Sequence, residues 1–142
     1  TDERINQNDA AITLAHELGH YLGLRHVFSE GGTTSMCTDT DYCKDTPSYN
    51  RSEYEQWLNN LDKQNKYQLK DLAKRYSCEK GEYEAHNIMD YAYCFYNEIT
   101  LEQRKRIRHI LNYSPLIPGP KESRIDTRGV QDRLNLPICI MK

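Results

Sequence analysis

Three things are scarce in these 142 residues. Long apolar runs are the first: none approaches the length that crosses a bilayer as a helix, so no membrane span is expected in this chain. Excess charge of one sign is the second. Nineteen Lys and Arg stand against twenty-one Asp and Glu, a formal net charge of −2, which removes the electrostatic case for a nucleic-acid partner. Phenylalanine is the third, with two copies beside eleven tyrosines; a thin core with wet edges follows from that balance. Repeats and low-complexity tracts are also missing, and the length suits one domain of modest core. The chain opens on Thr1 without an initiator Met or a signal peptide, so it is expected to be a processed product or an excised piece.

Cysteine is not scarce. Five sit at 37, 43, 78, 94 and 139. The odd count leaves one unpaired or pairing outside the chain. Clustering of the first four favours disulfides over reduced, buried thiols, with the connectivity open.

Apolar spacing predicts a helix over 9–22. Ile12, Ala15, Gly19 and Leu22 share a stripe, with Ala11, Leu14, Leu18 and Tyr21 beside it, a face wide enough for a buried helix. Asn8 or Asp9 can cap its start, and Gly23 ends it. Residues 28–50 carry loop signals. Residues 51–76 return to helical spacing, with a Tyr54, Trp57, Leu58 and Leu61 stripe and then Leu69, Leu72, Ala73 and Tyr76; this segment reads as a packed insertion without chemistry. Residues 81–98 read as loop. Thr100 and Gln103 form a capping box for a last helix whose apolar side is Ile107, Ile110 and Leu111, and whose "RKRIRH" run reads as a solvated face. Pro115, Pro118 and Pro120 mark a linker, so 1–114 is expected as the folded part and 115–142 as a tail.

The chemistry gathers in "HELGHYLGLRH", residues 16–26, which holds three of the five histidines. His16 and His20 are four apart, so their rings lie on one helix face, one turn apart. Two such imidazoles can chelate one metal ion. Glu17 is rotated by roughly 100° from His16, off that line but within reach of a water at the metal. In a continuous helix His26 would point roughly 240° away from His20. The helix must stop between them, and Gly23 sits where left-handed backbone is needed. Three neutral imidazoles with an open fourth position characterise a catalytic zinc rather than a structural one. Zinc so held polarises water and a carbonyl oxygen, and Glu17 is the candidate general base. In near-random sequence of this length the five fixed positions recur with odds on the order of 10⁻⁵. His86 and His109 lack such spacing and are read as ordinary surface or packing residues.

At these residues the chain resembles the metzincin zinc metallopeptidases, whose HExxHxxGxxH signature is followed by a Met-containing turn. "NIMDY" is the matching turn: Met89 is implied as the apolar floor beneath the histidines, with Asp90 beside it, and Tyr91 as a switchable zinc ligand or transition-state stabiliser. "CTDTDYCKDTP" ahead of it is similar to the pappalysin-like (cytophagalysin) group. There the acidic loop binds calcium, which implies Asp41 and Thr46 as ligands; hard oxygen donors suit that ion. An EF-hand is excluded, because Lys44 stands where its glycine and Asn50 where its closing Glu belong. The group pairs a cysteine before the loop with one before the Met-turn. Cys37 and Cys78 match those positions; Cys43 with Cys94, the two left over, is expected as a second pair, in departure from the group's usual pattern. Members that cleave before basic residues carry an acid soon after the Met-turn tyrosine; Ala92, Tyr93 and Cys94 supply none.

The resemblance covers residues 9–112. It implies an α+β zincin/metzincin-like catalytic domain, of which the part present is mainly the α-rich C-terminal subdomain with loops. The implied activity is zinc-dependent endopeptidase action on a peptide or protein substrate, in a secreted or cell-envelope setting, with calcium as a second ion. Only fifteen residues precede His16, so the sheet that holds substrate is expected to be missing and the N-terminal subdomain to be the immediate packing partner. Two rivals follow. One is a truncated zinc/calcium-binding module without catalysis; the other is a peptidase of an astacin-like or matrixin-like branch.

Overall fold

The computed structural model describes residues 9–29, 41–62, 67–77, 79–91 and 93–121. Helix α1 spans Ala10–Tyr21. Its cap is Asp9, whose Oδ1 accepts the Ala11 N–H at 2.8 Å, satisfying one of the donors a helix start leaves open. It ends in a Schellman arrangement. The Gly23 N–H donates to His20 O and the Leu24 N–H to Gly19 O, both at 2.9 Å, with Gly23 at φ +86°. That left-handed residue reverses the chain where the histidine spacing requires it.

The α1 surface departs from expectation. Only His16 and Gly19 are buried along it, while Leu14 is 61% exposed and Leu18 and Tyr21 48% each. Gly19 packs against Met89 and Leu24, but the side of the apolar face that carries Leu14, Leu18 and Tyr21 stays open among the described residues.

Strands β1 (Phe28–Ser29), β2 (Tyr49–Asn50), β3 (Lys74–Ser77) and β4 (Gly81–Glu84) form one sheet in that order. β1 and β2 run parallel, Phe28 beside Tyr49. β2 meets β3 antiparallel through Tyr49 and Ser77, and β3–β4 is an antiparallel hairpin from Lys74 and Glu84 to Ser77 and Gly81. Helix α2 spans Arg51–Asp62, shorter than the expected helical segment. The Leu69, Leu72, Ala73 and Tyr76 stripe resolves into a 3₁₀ turn at Leu69–Ala73 followed by β3. β3 buries Arg75 and Ser77 and exposes Tyr76: a period of two carried by polar residues, which an apolar count does not register. The expected loop over 81–98 likewise opens with β4, and the loop over 28–50 is bounded by strand pairing at both ends.

Helix α3 spans Leu101–Tyr113. Its capping box is present: Thr100 Oγ1 accepts the Gln103 N–H at 3.3 Å and Gln103 Oε1 accepts the Thr100 N–H at 3.0 Å. Its buried residues are Gln103 and Arg106, not the expected isoleucines, and Leu111 is exposed. Arg106 leaves the otherwise solvated basic run and donates from Nε to Gly23 O. Leu24, Val27, Phe28, Tyr49, Tyr54 and Met89 make the core, with Ile88 and Ile107 against it. No helix among the described residues is long and apolar enough to cross a membrane.

Candidate metal centre

The Schellman turn brings His26 back to α1. His16 Nε2 lies 3.1 Å from His20 Nε2 and 3.2 Å from His26 Nε2, and the last two are 3.0 Å apart. The other nitrogens fix the tautomers. His16 Nδ1 is 2.8 Å from Ile88 O and His20 Nδ1 is 3.1 Å from Leu24 O. A carbonyl can only accept, so both Nδ1 atoms carry the proton, and both Nε2 lone pairs point inward. Lone pairs this close repel unless a cation sits among them. Zinc–nitrogen bonds of about 2.0–2.1 Å in tetrahedral array put neighbouring nitrogens roughly 3.3 Å apart, close to the spacing here. The donor set fits zinc. Among the described residues these three rings are the group whose ligand atoms gather in this way.

Phe28 and Met89 back the cluster. Phe28 stacks on His26 at 4.7 Å and 12°. Met89 is fully buried and its sulfur lies against Gly19, where any Cβ would collide with it. Gly19 is therefore a second glycine the site needs; the stretch "HELGH" held it, but helical spacing gave no reason to separate it from its stripe. Gly23 has a similar second duty, since a Cβ there would stand 2.8 Å from Ile110 Cγ1.

The turn that carries Met89 is held by amides and one ion pair. Asn87 Oδ1 accepts the Met89 N–H at 3.0 Å. Its amide pairs with buried Gln103: Nδ2 donates to Gln103 Oε1 at 2.8 Å and Oδ1 accepts from Gln103 Nε2 at 3.1 Å. Asp90 Oδ1 accepts the Tyr91 N–H at 2.7 Å and the Tyr49 hydroxyl at 2.6 Å. Asp90 Oδ2 faces Arg75 Nε at 3.4 Å, both side chains closed to solvent. Arg75 Nη1 donates to Leu72 O at 2.8 Å, and the guanidinium lies 3.8 Å over the Tyr54 ring. Burial works against the Arg75 charge, but Asp90 and the two tyrosines hold its pKa above the ordinary arginine value. Burial, with Asp90 nearby, pushes the Tyr49 phenol well up. Asn87, Gln103 and Arg75 carried no sequence signal beyond a short motif and a cap.

Glu17 is exposed on α1, next to His16. Tyr91 is 43% exposed, its ring 4.7 Å from that of His26 and 5.7 Å from that of His16. His86 and His109 lie outside this cluster, His86 bonded to Asn97 at 3.0 Å and stacked on Phe95, His109 against Tyr113.

In the described part of the acidic loop Asp41, Cys43 and Thr46 are buried, while Tyr42 and Lys44 are exposed. Asp41 Oδ1 accepts the Cys43 N–H at 3.0 Å and the Thr46 hydroxyl at 2.7 Å, while its Oδ2 is buried without a hydrogen-bond partner. Burial raises the Asp41 pKa, against the pull of Thr46 and Cys43. Cys43 and Cys94 are both free and buried, so the pairing of these two is corrected. Cys94 Sγ instead donates to Asn87 O at 3.3 Å and accepts the Tyr96 N–H at 3.4 Å. Burial, reinforced by Asp41 at one and Asp90 at the other, pushes each thiol up to about 12, so both stay protonated and inert at neutral pH. Cys37 and Cys78 lie outside the described residues.

Comparison with known proteins agrees with this geometry. The family model described as pregnancy-associated plasma protein-A matches residues 2–112. Proteins named extracellular metalloprotease from Arthroderma benhamiae and Trichophyton verrucosum are each 37% identical over 108 residues, covering 74% of this chain and 32% of the relative. One from Arthroderma otae is 37% identical over 108 residues, 33% of its length. The chain thus spans about a third of the length of the curated relatives it matches. No solved structure matches. With the three-histidine cluster, the buried methionine and this match over most of its length, the chain belongs to the pregnancy-associated plasma protein-A family of metzincin-type metallopeptidases.

Proposed function

We propose that this chain is the zinc-holding part, residues 1–114, of a catalytic domain that hydrolyses peptide bonds with an activated water, residues 115–142 being a tail. The observation that carries it is the convergence of three Nε2 atoms within 3.2 Å of one another. His16, His20 and His26 would hold zinc, which when bound supplies polarisation of a water and of the scissile carbonyl. The chain's own groups do the rest. Glu17 takes the proton of the attacking water and passes it to the leaving amine. The Tyr91 phenol donates to the oxygen on which charge develops. Met89 gives the histidines an apolar floor, and no acyl-enzyme is formed. In the full-length protein, Glu17→Gln is expected to abolish turnover of a quenched peptide while zinc stays near one per chain. Retained turnover removes Glu17 from that role.

The uncovered α1 stripe of Leu14, Leu18 and Tyr21 supports the rest of a longer protein, an N-terminal subdomain, as its packing partner. It also favours the second reading, a zinc-holding module that does not cleave as this piece. Chelator-sensitive peptide cleavage by the 142-residue chain would eliminate that reading; cleavage only by the longer protein would support it. Calcium at Asp41 and Thr46 is proposed on the buried, unpartnered Asp41 Oδ2, and a rise in melting temperature on adding calcium to the chelated protein tests it. The relatives' printed names support an extracellular setting, in which a Cys37–Cys78 bridge is proposed and non-reducing peptide mapping checks it.

A further inference from the structure

The segment that begins at Arg51 carried no chemistry in the sequence, yet its first residue reaches the metal centre. α2 starts where β2 ends, and the β1–β2 pairing sets Asn50 beside Ser29. The Arg51 guanidinium is thereby placed 5.2 Å over the Phe28 ring and 4.6 Å over the Tyr91 ring. Those two rings are also the ones against His26: Phe28 stacked, Tyr91 edge-on at 67°. Arg51 is itself anchored, its Nε donating to Glu55 Oε1 at 2.7 Å one turn along α2.

A tyrosine as exposed as Tyr91 is free to exchange rotamers unless something restrains its ring. A cation over a ring face does so, favouring one placement by roughly two- to thirtyfold. We propose that Arg51 is a positioning residue for the reaction. Its guanidinium, anchored by Glu55, holds the Tyr91 ring against His16 and His26 and so keeps the phenol where substrate oxygen charge develops. This rests on the reading of Tyr91 as the stabiliser of that charge. The competing use of the same cation is to read an acidic side chain of the substrate. Positioning is favoured, because the guanidinium already faces two rings and spends Nε on Glu55.

The test has two arms. In this chain with ring-labelled tyrosine, with and without zinc, NMR should show one Tyr91 rotamer in the wild type. Averaging should appear in Arg51→Met and Glu55→Gln, with order partly restored in Arg51→Lys. In the full-length enzyme, Arg51→Met should lower kcat on the order of tenfold with KM little changed, and the loss should vanish in a Tyr91→Phe background. Unchanged ring order in both Arg51→Met and Glu55→Gln overturns the proposal. So does a kcat loss that persists without the phenol, or a KM rise confined to peptides with Asp or Glu beside the scissile bond. Full kcat in Tyr91→Phe alone defeats the Tyr91 reading and the catalytic consequence with it, while the labelled chain still reports whether Arg51 orders the ring.

Discussion

Helix α1 and the segment 51–84 make opposite demands on a reader of sequence. α1 and the turn after it state their chemistry within eleven residues: the three histidines, Glu17 and the glycine that turns the chain fall in one stretch. The segment 51–84 has no motif, yet it delivers Arg75 to Asp90 of the Met-turn and Arg51 to the Tyr91 ring. The first region supplies the atoms that would meet the metal. The second, with Asn87 and Gln103, decides where the floor and the phenol stand relative to them. Ligand chemistry is local because one helix turn spans a chelate; support is distributed because Asn87 and Asp90, which bond within the turn 87–91, also need Gln103, Tyr49 and Arg75 from distant chain.

Breaking the second region without touching the first is the sharpest way to test that division. Arg75→Ala leaves Asp90 charged and buried, which is expected to cost about 3–5 kcal/mol, read by urea unfolding. Combining Arg75→Met with Asp90→Asn should recover part of the loss. If Arg75→Ala is as stable as the wild type, the pair does not hold the turn. Next in size is the seam between the regions. Gly23→Ala meets both a φ of +86° and the Ile110 side chain, and should cost about 2–4 kcal/mol together with a fall in zinc affinity, since His26 is placed by that turn. Zinc titration of the folded variant checks it; unchanged affinity would show that His26 is positioned by other means. Smaller again is Gly19→Ala, which forces Met89 aside and should cost about 1–3 kcal/mol. Met89→Ala in the same chain should absorb part of it, measured as a non-additive double-mutant cycle.

The smallest effect concerns the two thiols. Folding raises their pKa to about 12, so the neutral form persists through pH 8. Iodoacetamide should label Cys43 and Cys94 far more slowly in native protein than in denaturant. Equal rates contradict their burial, and no labelling even in denaturant contradicts their being free.

What was legible in the sequence follows from the range of the forces involved. Asp9, Gly23 and the Thr100–Gln103 box act over three or four residues, and the structure has them as caps and stops. The gathering of His16, His20 and His26 was legible for the same reason. β3 was not, because its inward residues are Ser77 and Arg75, the latter held by an aspartate fifteen positions away, two tyrosine rings and a backbone carbonyl. Nor was the bareness of α1: its stripe predicts a covered helix, yet Leu14, Leu18 and Tyr21 stay open among the described residues. Gln103 shows both cases at once, a cap on its own helix and an amide partner for Asn87 that spacing does not reveal.

One measurement bears directly on the central arrangement. Zinc-edge X-ray absorption on the zinc-loaded protein should give one zinc per chain with three imidazole ligands at about 2.0–2.1 Å and a lighter fourth ligand, and His26→Ala should lower the imidazole count to two. A sulfur scatterer, or an unchanged shell in His26→Ala, would contradict it.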